Sequence, residues 1–113
     1  MPREAVIVLI QYRARPGRAE AARAALTALV ATVVAREPDC HGITMLDNAD
    51  DPSRLLLYER WKDREAYLGP HMKTPHLLEF MAQAGEHFVG PPEITFWTLV
   101  GAAAFRGIED RAS

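Results

Sequence analysis

The chain has 113 residues, 49% of them hydrophobic, and a formal net charge of −2. This size and composition predict one globular domain with a single core. Scattered, nearly balanced charges exclude the basic patch that is typical of nucleic-acid-binding proteins. The lone cysteine, Cys40, excludes an internal disulfide and fits a reducing compartment, and the apolar run 5–10 is too short for a signal peptide or a membrane span. We therefore expect a cytoplasmic protein with no nucleic-acid or membrane partner.

The first half of the chain predicts a strand, a long helix and a second strand. Residues 5–14 favour a strand covered on both faces, and Arg15-Pro16-Gly17 closes it. A helix follows from Gly17 and ends at Glu37-Pro38-Asp39, because the residue before a proline avoids the helical backbone conformation. Residues 40–47 predict the second strand, and the Asn, Asp and Pro cluster at 48–53 predicts a turn. The helix has an apolar stripe made of Ala22, Ala25, Leu26, Leu29, Val30 and Val33.

The stretch 55–80 predicts a strand that runs into a broken helix. Because side chains alternate along a strand, Leu57, Glu59 and Trp61 share one face of 55–61 and Tyr58 lies on the other. Asp63 suits a helix cap, Gly69-Pro70 breaks the helix, and Thr74-Pro75 starts a second one. The second helix has an apolar stripe made of Leu77, Phe80, Met81, Ala84 and Phe88.

Glu59 is the least expected residue of this strand. A buried carboxylate is costly unless a partner compensates it, so Glu59 either pairs with a cation or hydrogen-bond donor or meets a ligand. His71 and His76 bracket the start of the second helix, close to the strand that carries Glu59. We hypothesise that Glu59 accepts a hydrogen bond from His71 and that Trp61 lies beside the pair. The alternative for Glu59 is an ion pair with an arginine.

With a fourth strand at 94–100, the element order is βαββαβ, which predicts an α+β, ferredoxin-like sandwich. The two helices cover only one face of such a sheet. The other face, which includes Leu56 and Tyr58, exposes more apolar surface than a monomer usually does, so we expect a homodimer that buries sheet against sheet. We expect the domain to comprise residues 1–100 and residues 101–113 to form a C-terminal tail.

Several short motifs occur in an order that resembles the antibiotic biosynthesis monooxygenase (ABM) family of dimeric α+β barrels. They are Arg15-Pro16-Gly17, the EPDC segment 37–40, Asp51-Pro52, the YERW segment 58–61 and the HMKTPH segment 71–76. Together they span nearly all of residues 5–100. The resemblance implies the dimeric barrel, and it leaves the reaction open between oxidation of phenols or quinols, haem degradation and sugar-phosphate isomerisation.

Individual positions help to sort these activities. Members that form quinones have a strand Asn four residues before the Trp and a Tyr six residues after it; here Tyr67 matches, but Leu57 stands at the Asn position. Haem-degrading members need an Asn on the first strand, where this chain has Ile10. The H-x-x-T-P-H element resembles members near the sugar-phosphate isomerase.

The predicted pocket lies between the strand face of Glu59 and the broken helix. We expect His71, Glu59 and Tyr67 to be catalytic: His71 as a base or proton shuttle, Glu59 as its partner, and Tyr67 as a donor to an oxyanion. His76, in the first turn of a helix, suits a neutral hydrogen-bond donor. A metal is not expected, because His71 and His76 are five residues apart, and no flavin or nicotinamide fingerprint occurs. The expected substrate-binding residues are Leu57, Trp61, His76, Phe80 and Trp97.

These features favour a cofactor-independent monooxygenase or oxidase that acts on a phenolic or quinol-type small molecule and dioxygen. His71 would remove a proton, and the substrate anion would pass an electron to dioxygen. Two alternatives use the same fold: a proton-shuttling isomerase of a small carbonyl or sugar-phosphate compound, and a non-catalytic ligand-binding barrel.

Overall fold

The computed structural model describes residues 5–101. Its element order confirms the α+β, ferredoxin-like βαββαβ fold. Two short 3₁₀ turns, Pro70–Lys73 and Ala84–Glu86, flank the third helix. The strands are β1 (Val6–Arg13), β2 (Cys40–Asn48), β3 (Asp51–Trp61) and β4 (Glu93–Trp97), and the helices are α1 (Ala19–Arg36), α2 (Arg64–Leu68) and α3 (Pro75–Gln83).

The four strands form one antiparallel sheet in the order β2-β3-β1-β4. Val8 on β1 lies opposite Glu59 on β3 and Phe96 on β4. Because residues that pair across antiparallel strands point to the same side, these three side chains share one face. Burial alternates along β3: Leu57, Glu59 and Trp61 are buried, whereas Tyr58 is half-buried. The face of Val8 and Glu59 is therefore the one that the helices cover, which we call the covered face.

The opposite face, which we call the bare face, carries apolar side chains that are exposed or half-buried. Ile7 and Leu9 on β1 are half-buried, while Leu46 on β2 and Trp97 on β4 are 48% and 53% exposed. Ile7 pairs with Trp97, and Leu9 pairs with Tyr58. This arrangement agrees with the expected uncovered sheet face within residues 5–101.

Side-chain caps shape the broken helix between β3 and α3, as the sequence predicts. Asp63 accepts a hydrogen bond from the Ala66 amide at 2.8 Å and so caps α2. Thr74 accepts from the Leu77 amide at 3.4 Å and also donates from its hydroxyl to the His71 carbonyl at 2.9 Å. At the break, a Cβ on Gly69 would lie 2.9 Å from the Glu65 carbonyl oxygen, so glycine permits this close turn.

Three predicted boundaries differ from the structure. β3 begins at Asp51, so the predicted turn at 48–53 reduces to a tight connection in which the Asp50 amide donates to Asn48 Oδ1 at 2.8 Å. α3 ends at Gln83, so Phe88 lies beyond the helix and is not part of its apolar stripe. Phe88 is buried, and its backbone forms an isolated β-bridge with Ala14. β4 ends at Trp97 instead of residue 100. The tail predicted at 101–113 lies, apart from Gly101, outside the described residues.

In the part of the chain that the structure describes, no helix combines the length and the apolar character that crossing a membrane requires.

Candidate active site

A buried polar cluster lies at the end of β3, between the covered face and the broken helix. The Trp61 indole Nε1–H donates to Glu59 Oε1 at 2.8 Å. The Trp61 ring also contacts the rings of His71, at 4.6 Å between centroids, and Tyr67, at 5.5 Å. Glu59 and His71 are each only 4% exposed. The structure therefore brings Glu59, Trp61, Tyr67 and His71 together, as the strand alternation and the helix break predict.

The hydrogen-bond partner of His71 is not the one that the sequence suggested. Its Nδ1 lies 3.0 Å from both carboxylate oxygens of Glu37, whereas Glu59 receives the indole N–H of Trp61. The hypothesis that Glu59 accepts a hydrogen bond from His71 is therefore corrected. An ionised carboxylate accepts hydrogen bonds and cannot donate them, so Nδ1 carries the proton and the Nε2 of a neutral His71 carries the lone pair.

Glu37 also receives a hydrogen bond from His76. The Nε2 of His76 donates to Glu37 Oε2 at 2.6 Å. Glu37 is the C-cap residue that follows α1, and its side chain is 11% exposed. The sequence predicted only a helix end at Glu37-Pro38 and did not assign this carboxylate to the site. Its partners are 34 and 39 residues away along the chain, so no local spacing indicates the contact.

A small cavity of about 20 Å³ lies inside this cluster. Four titratable side chains line it: Tyr12, Glu59, Tyr67 and His71. Its apolar wall includes Leu57, as predicted, with residues from α1 and α3. A volume of this size accommodates about one water molecule. The apolar residues of the wall are Ile10, Leu29, Val30, Val33, Ile43, Leu57 and Leu77.

Burial changes the proton affinities of the groups around the cavity. Desolvation raises the pKa of Glu59 to about 7; the Trp61 hydrogen bond opposes this rise, and the nearby Glu37 charge adds to it. Desolvation lowers the pKa of His71, while its hydrogen bond to Glu37 and the Glu37 charge act in the opposite direction. Desolvation, with the Glu59 charge, raises the pKa of Tyr67. Near neutral pH, the cavity therefore combines a neutral histidine with a carboxyl group that readily exchanges a proton.

Phe80 and Trp97 lie away from this cavity. Phe80 contacts Tyr12 at 6.2 Å and Phe88 at 6.0 Å between ring centroids, and it is absent from the cavity wall. Trp97 lies on the bare face, so its expected place in the pocket wall is corrected. Phe96 is the β4 aromatic on the covered face, where it contacts Tyr67 at 5.6 Å. The register of β4 against β1 alone decides which of Phe96 and Trp97 lies on the covered face.

Within residues 5–101, no group of three or more His, Cys, Asp or Glu side chains is arranged to hold a metal ion. The contacts of Glu37 with His71 and His76 are hydrogen bonds at 2.6–3.0 Å.

A larger groove of about 560 Å³ opens at the end of the sheet near the β2–β3 connection. Its charged side chains are exposed: Arg13, Asp47, Arg54 and Glu93. The buried acid and histidine lie instead at the smaller cavity. We therefore place the candidate chemistry at the small cavity.

Comparison with known proteins shows the relationship of the whole domain. The sequence profile of the family described as antibiotic biosynthesis monooxygenase matches residues 5–83. A Mycobacterium tuberculosis protein that carries the provisional name monooxygenase Rv0793 is 34% identical over 90 residues, which cover 80% of this chain and 86% of that protein.

Solved structures agree with this match. The structure of Rv0793 has a TM-score of 0.76 and 31% identity, and the alignment covers 89% of this chain and 100% of that one. PA3566 from Pseudomonas aeruginosa has a TM-score of 0.79 and 25% identity, and the alignment covers 89% and 99% of the two chains. The resemblance to the family is thus confirmed along most of the described chain. The chain belongs to the antibiotic biosynthesis monooxygenase family.

Proposed function

We propose that this protein is a cofactor-independent monooxygenase or oxidase that acts on a phenolic or quinol-type small molecule. The observation that carries the proposal is the buried His71, which Glu37 holds through Nδ1 beside a cavity that also contains Glu59. A neutral imidazole with one fixed nitrogen is suited to accept a proton at the other. The provisional monooxygenase name of the relative Rv0793 supports the same class of reaction.

In the first step, the Nε2 of His71 accepts the proton of a phenolic hydroxyl. The imidazolium that forms is stabilised by the carboxylate of Glu37 at 3.0 Å. The phenolate transfers an electron to dioxygen, and recombination of the substrate radical with superoxide forms a carbon–oxygen bond and a peroxide anion. His71 returns its proton to this anion, which gives a hydroperoxide.

In the second step, the substrate carbon loses its hydrogen as a proton to His71 while the O–O bond breaks. One oxygen remains as a quinone carbonyl, and the other leaves as hydroxide. Glu59, whose pKa of about 7 leaves it partly protonated near neutrality, donates a proton to this hydroxide and releases water. When the product leaves, His71 gives up the proton that it took from the substrate carbon and the Glu59 carboxylate takes up one proton, so both groups return to their resting forms.

The cavity of about 20 Å³ is too small for an aromatic ring, so substrate binding requires it to widen. α3 and the preceding 3₁₀ turn supply His71 and Leu77, whereas α1 supplies Leu29 and Val33. Rearrangement of the wall side chains Leu29, Val33 and Leu77 enlarges the space beside His71 and leaves the hydrogen bond between His71 and Glu37 in place. Closure afterwards excludes water from the substrate anion, which favours electron transfer over unproductive protonation.

The same pair of proton carriers also fits a proton-shuttling isomerase, which moves protons on a small carbonyl compound without dioxygen. Oxygen uptake in the presence of naphthoquinols and other reduced quinols tests the oxidative proposal. We expect uptake that depends on the protein and persists after treatment with a metal chelator. If no quinol supports oxygen uptake but the protein catalyses deuterium exchange into a carbonyl substrate, the oxidative proposal is wrong and the isomerase is correct.

We also propose that the protein acts as a homodimer that buries the bare face of one chain against that of another. Apolar Leu46 and Trp97 stand there beside charges of both signs, such as Arg54 and Glu93. A two-fold axis brings each patch against its own copy, so mixed charges can pair across it. A light-scattering mass of one chain at micromolar concentration contradicts this part of the proposal.

A further inference from the structure

Glu37 accepts hydrogen bonds from two histidines, His71 and His76, and both belong to the broken helix. The Nδ1 of His71 approaches both carboxylate oxygens at 3.0 Å, and the Nε2 of His76 approaches Oε2 at 2.6 Å. The three side chains are 5%, 14% and 11% exposed for His71, His76 and Glu37. Three largely buried polar groups thus satisfy one another at the junction of α1 with residues 70–76.

This arrangement needs a carboxylate at position 37. Two imidazole N–H donors converge on one side chain, and an ionised carboxylate offers acceptor sites on both of its oxygens. A glutamine at the same place has only one acceptor oxygen and presents an NH₂ group to the second histidine. A neutral side chain also removes the negative charge that stabilises an imidazolium in a site shielded from water.

The contact also fixes the orientation of His71. With Nδ1 engaged by Glu37, the imidazole can turn only slightly without losing the bond. The Trp61 and Tyr67 rings restrict it further, at 4.6 Å and 4.9 Å between ring centroids. The opposite nitrogen, Nε2, is then the one available to the cavity. The residue that sets this geometry lies at the end of α1, outside the strand and broken helix that carry the other site residues.

We infer that Glu37 is a positioning residue, which fixes the tautomer and orientation of His71 and anchors His76, so that Nε2 of His71 serves as the proton acceptor. This role rests on the proposed function in one respect, namely that His71 is the base. The tautomer and the anchoring belong to the resting protein. They are measurable without a substrate.

Nitrogen-15 NMR of the histidine rings tests the inference directly, because the two tautomers give different imidazole nitrogen shifts. In the unaltered protein we expect neutral His71 to carry its proton on Nδ1. In Glu37→Gln we expect a mixture of tautomers and a lower pKa of His71, because the charge that favours the imidazolium is gone. The groups that face His71 in this titration are Glu37, His76, Glu59, Tyr12 and Tyr67.

Asp39→Asn is the matched control. Asp39 belongs to the same connection between α1 and β2, and its carboxylate accepts no hydrogen bond from either histidine. This variant should leave the tautomer and pKa of His71 unchanged. The inference is overturned if Glu37→Gln preserves both properties. If Glu37→Gln does not fold, Glu37→Asp gives the test instead: its shorter side chain keeps the charge but cannot reach both rings, so one of the two histidines must lose its fixed tautomer.

A kinetic readout separates positioning from a merely structural role. With a quinol that supports oxygen uptake, we expect Glu37→Gln to lower kcat with little change in KM. The expected loss is roughly 10- to 100-fold, by analogy with the loss when the hydrogen-bond partner of a metal-bound histidine is removed. The kcat/KM pH profile should move to lower pH together with the NMR titration of His71. A variant with normal kcat and an unmoved profile overturns the inference. Absence of oxygen uptake by the unaltered protein refutes the proposed function alone, because the NMR result still decides the role of Glu37.

Discussion

Each face of the sheet departs from the usual distribution of polar and apolar side chains at a few positions. On the covered face, the helices bury a carboxyl group, Glu59, with a histidine close by. On the bare face, Leu46 and Trp97 remain about half exposed. Folding alone favours neither arrangement, because buried acids are costly and large exposed apolar patches are uncommon in monomers. The comparison supports our proposals that the covered face carries the chemistry and that the bare face contacts another copy of the chain.

The largest expected effect concerns the chemistry of the covered face. His71→Ala should lower the rate of quinol oxidation on the order of 10² to 10⁴-fold, which is typical for loss of a general base. His41→Ala is the matched control, because His41 is exposed on β2 and should retain full activity. Stopped-flow or oxygen-electrode rates give the comparison. Full turnover by His71→Ala would show that the catalytic assignment is wrong and would direct attention to His76 and Tyr67.

A pair of tryptophan variants compares the two faces in stability. Trp61 is 1% exposed, so Trp61→Ala should lower the free energy of unfolding by about 3–5 kcal/mol, and it also leaves Glu59 without its indole donor. Trp97→Ala should cost the single chain about 0.5 kcal/mol or less. Denaturant titration measures both values. If Trp97→Ala lowers the free energy of unfolding by more than this, the extra loss should depend on protein concentration, because it would come from dissociation of the dimer. Equal, concentration-independent losses would contradict the distinction between the faces.

The buried acid makes stability depend on pH. Its folded-state pKa, about 7, lies above the ordinary value of 4.5, so between these pH values the folded chain holds more protons than the unfolded chain. The free energy of unfolding should therefore fall as pH rises through this window, by on the order of 3 kcal/mol from Glu59 alone. Glu59→Gln removes this contribution. Its free energy of unfolding, relative to that of the unaltered protein at the same pH, should therefore be higher at pH 8 than at pH 5.

Comparison of the two proteins at each pH isolates Glu59 from His71. The pKa of His71 is lowered in the folded state, so this histidine contributes in the opposite direction, with stability that rises as pH rises through its ordinary titration range. Parallel stability curves for Glu59→Gln and the unaltered protein would contradict the raised pKa of Glu59.

The smallest effect on the folding of one chain is expected on the bare face. Leu9→Arg places a charge at the middle of β1 on this face and should dissociate the dimer while leaving the circular dichroism spectrum of the chain intact. Val34→Arg is the control, because Val34 is 47% exposed on α1, away from the sheet. Light scattering at micromolar concentration measures both masses. A Leu9→Arg protein that retains the mass of the unaltered protein would exclude the bare face as the dimer interface.

The sequence by itself determined the fold class and the membership of most of the site. Periodicity along β3 placed Leu57, Glu59 and Trp61 on one face, and the caps Asp63 and Thr74 predicted the broken helix that brings Tyr67 and His71 over them. These signals are local: they depend on side chains that alternate or on hydrogen bonds within three residues.

Only the tertiary structure decided the partners and the register. Glu37 contacts histidines 34 and 39 residues away, and Phe96 rather than Trp97 faces Tyr67 because of the pairing of β4 with β1. A shift of one residue in that pairing exchanges the two faces of the strand, and no pattern within a five-residue strand fixes it. The contacts that orient His71 form only when α1, β3 and the broken helix pack together, because a hydrogen bond between distant residues depends on the position of whole elements.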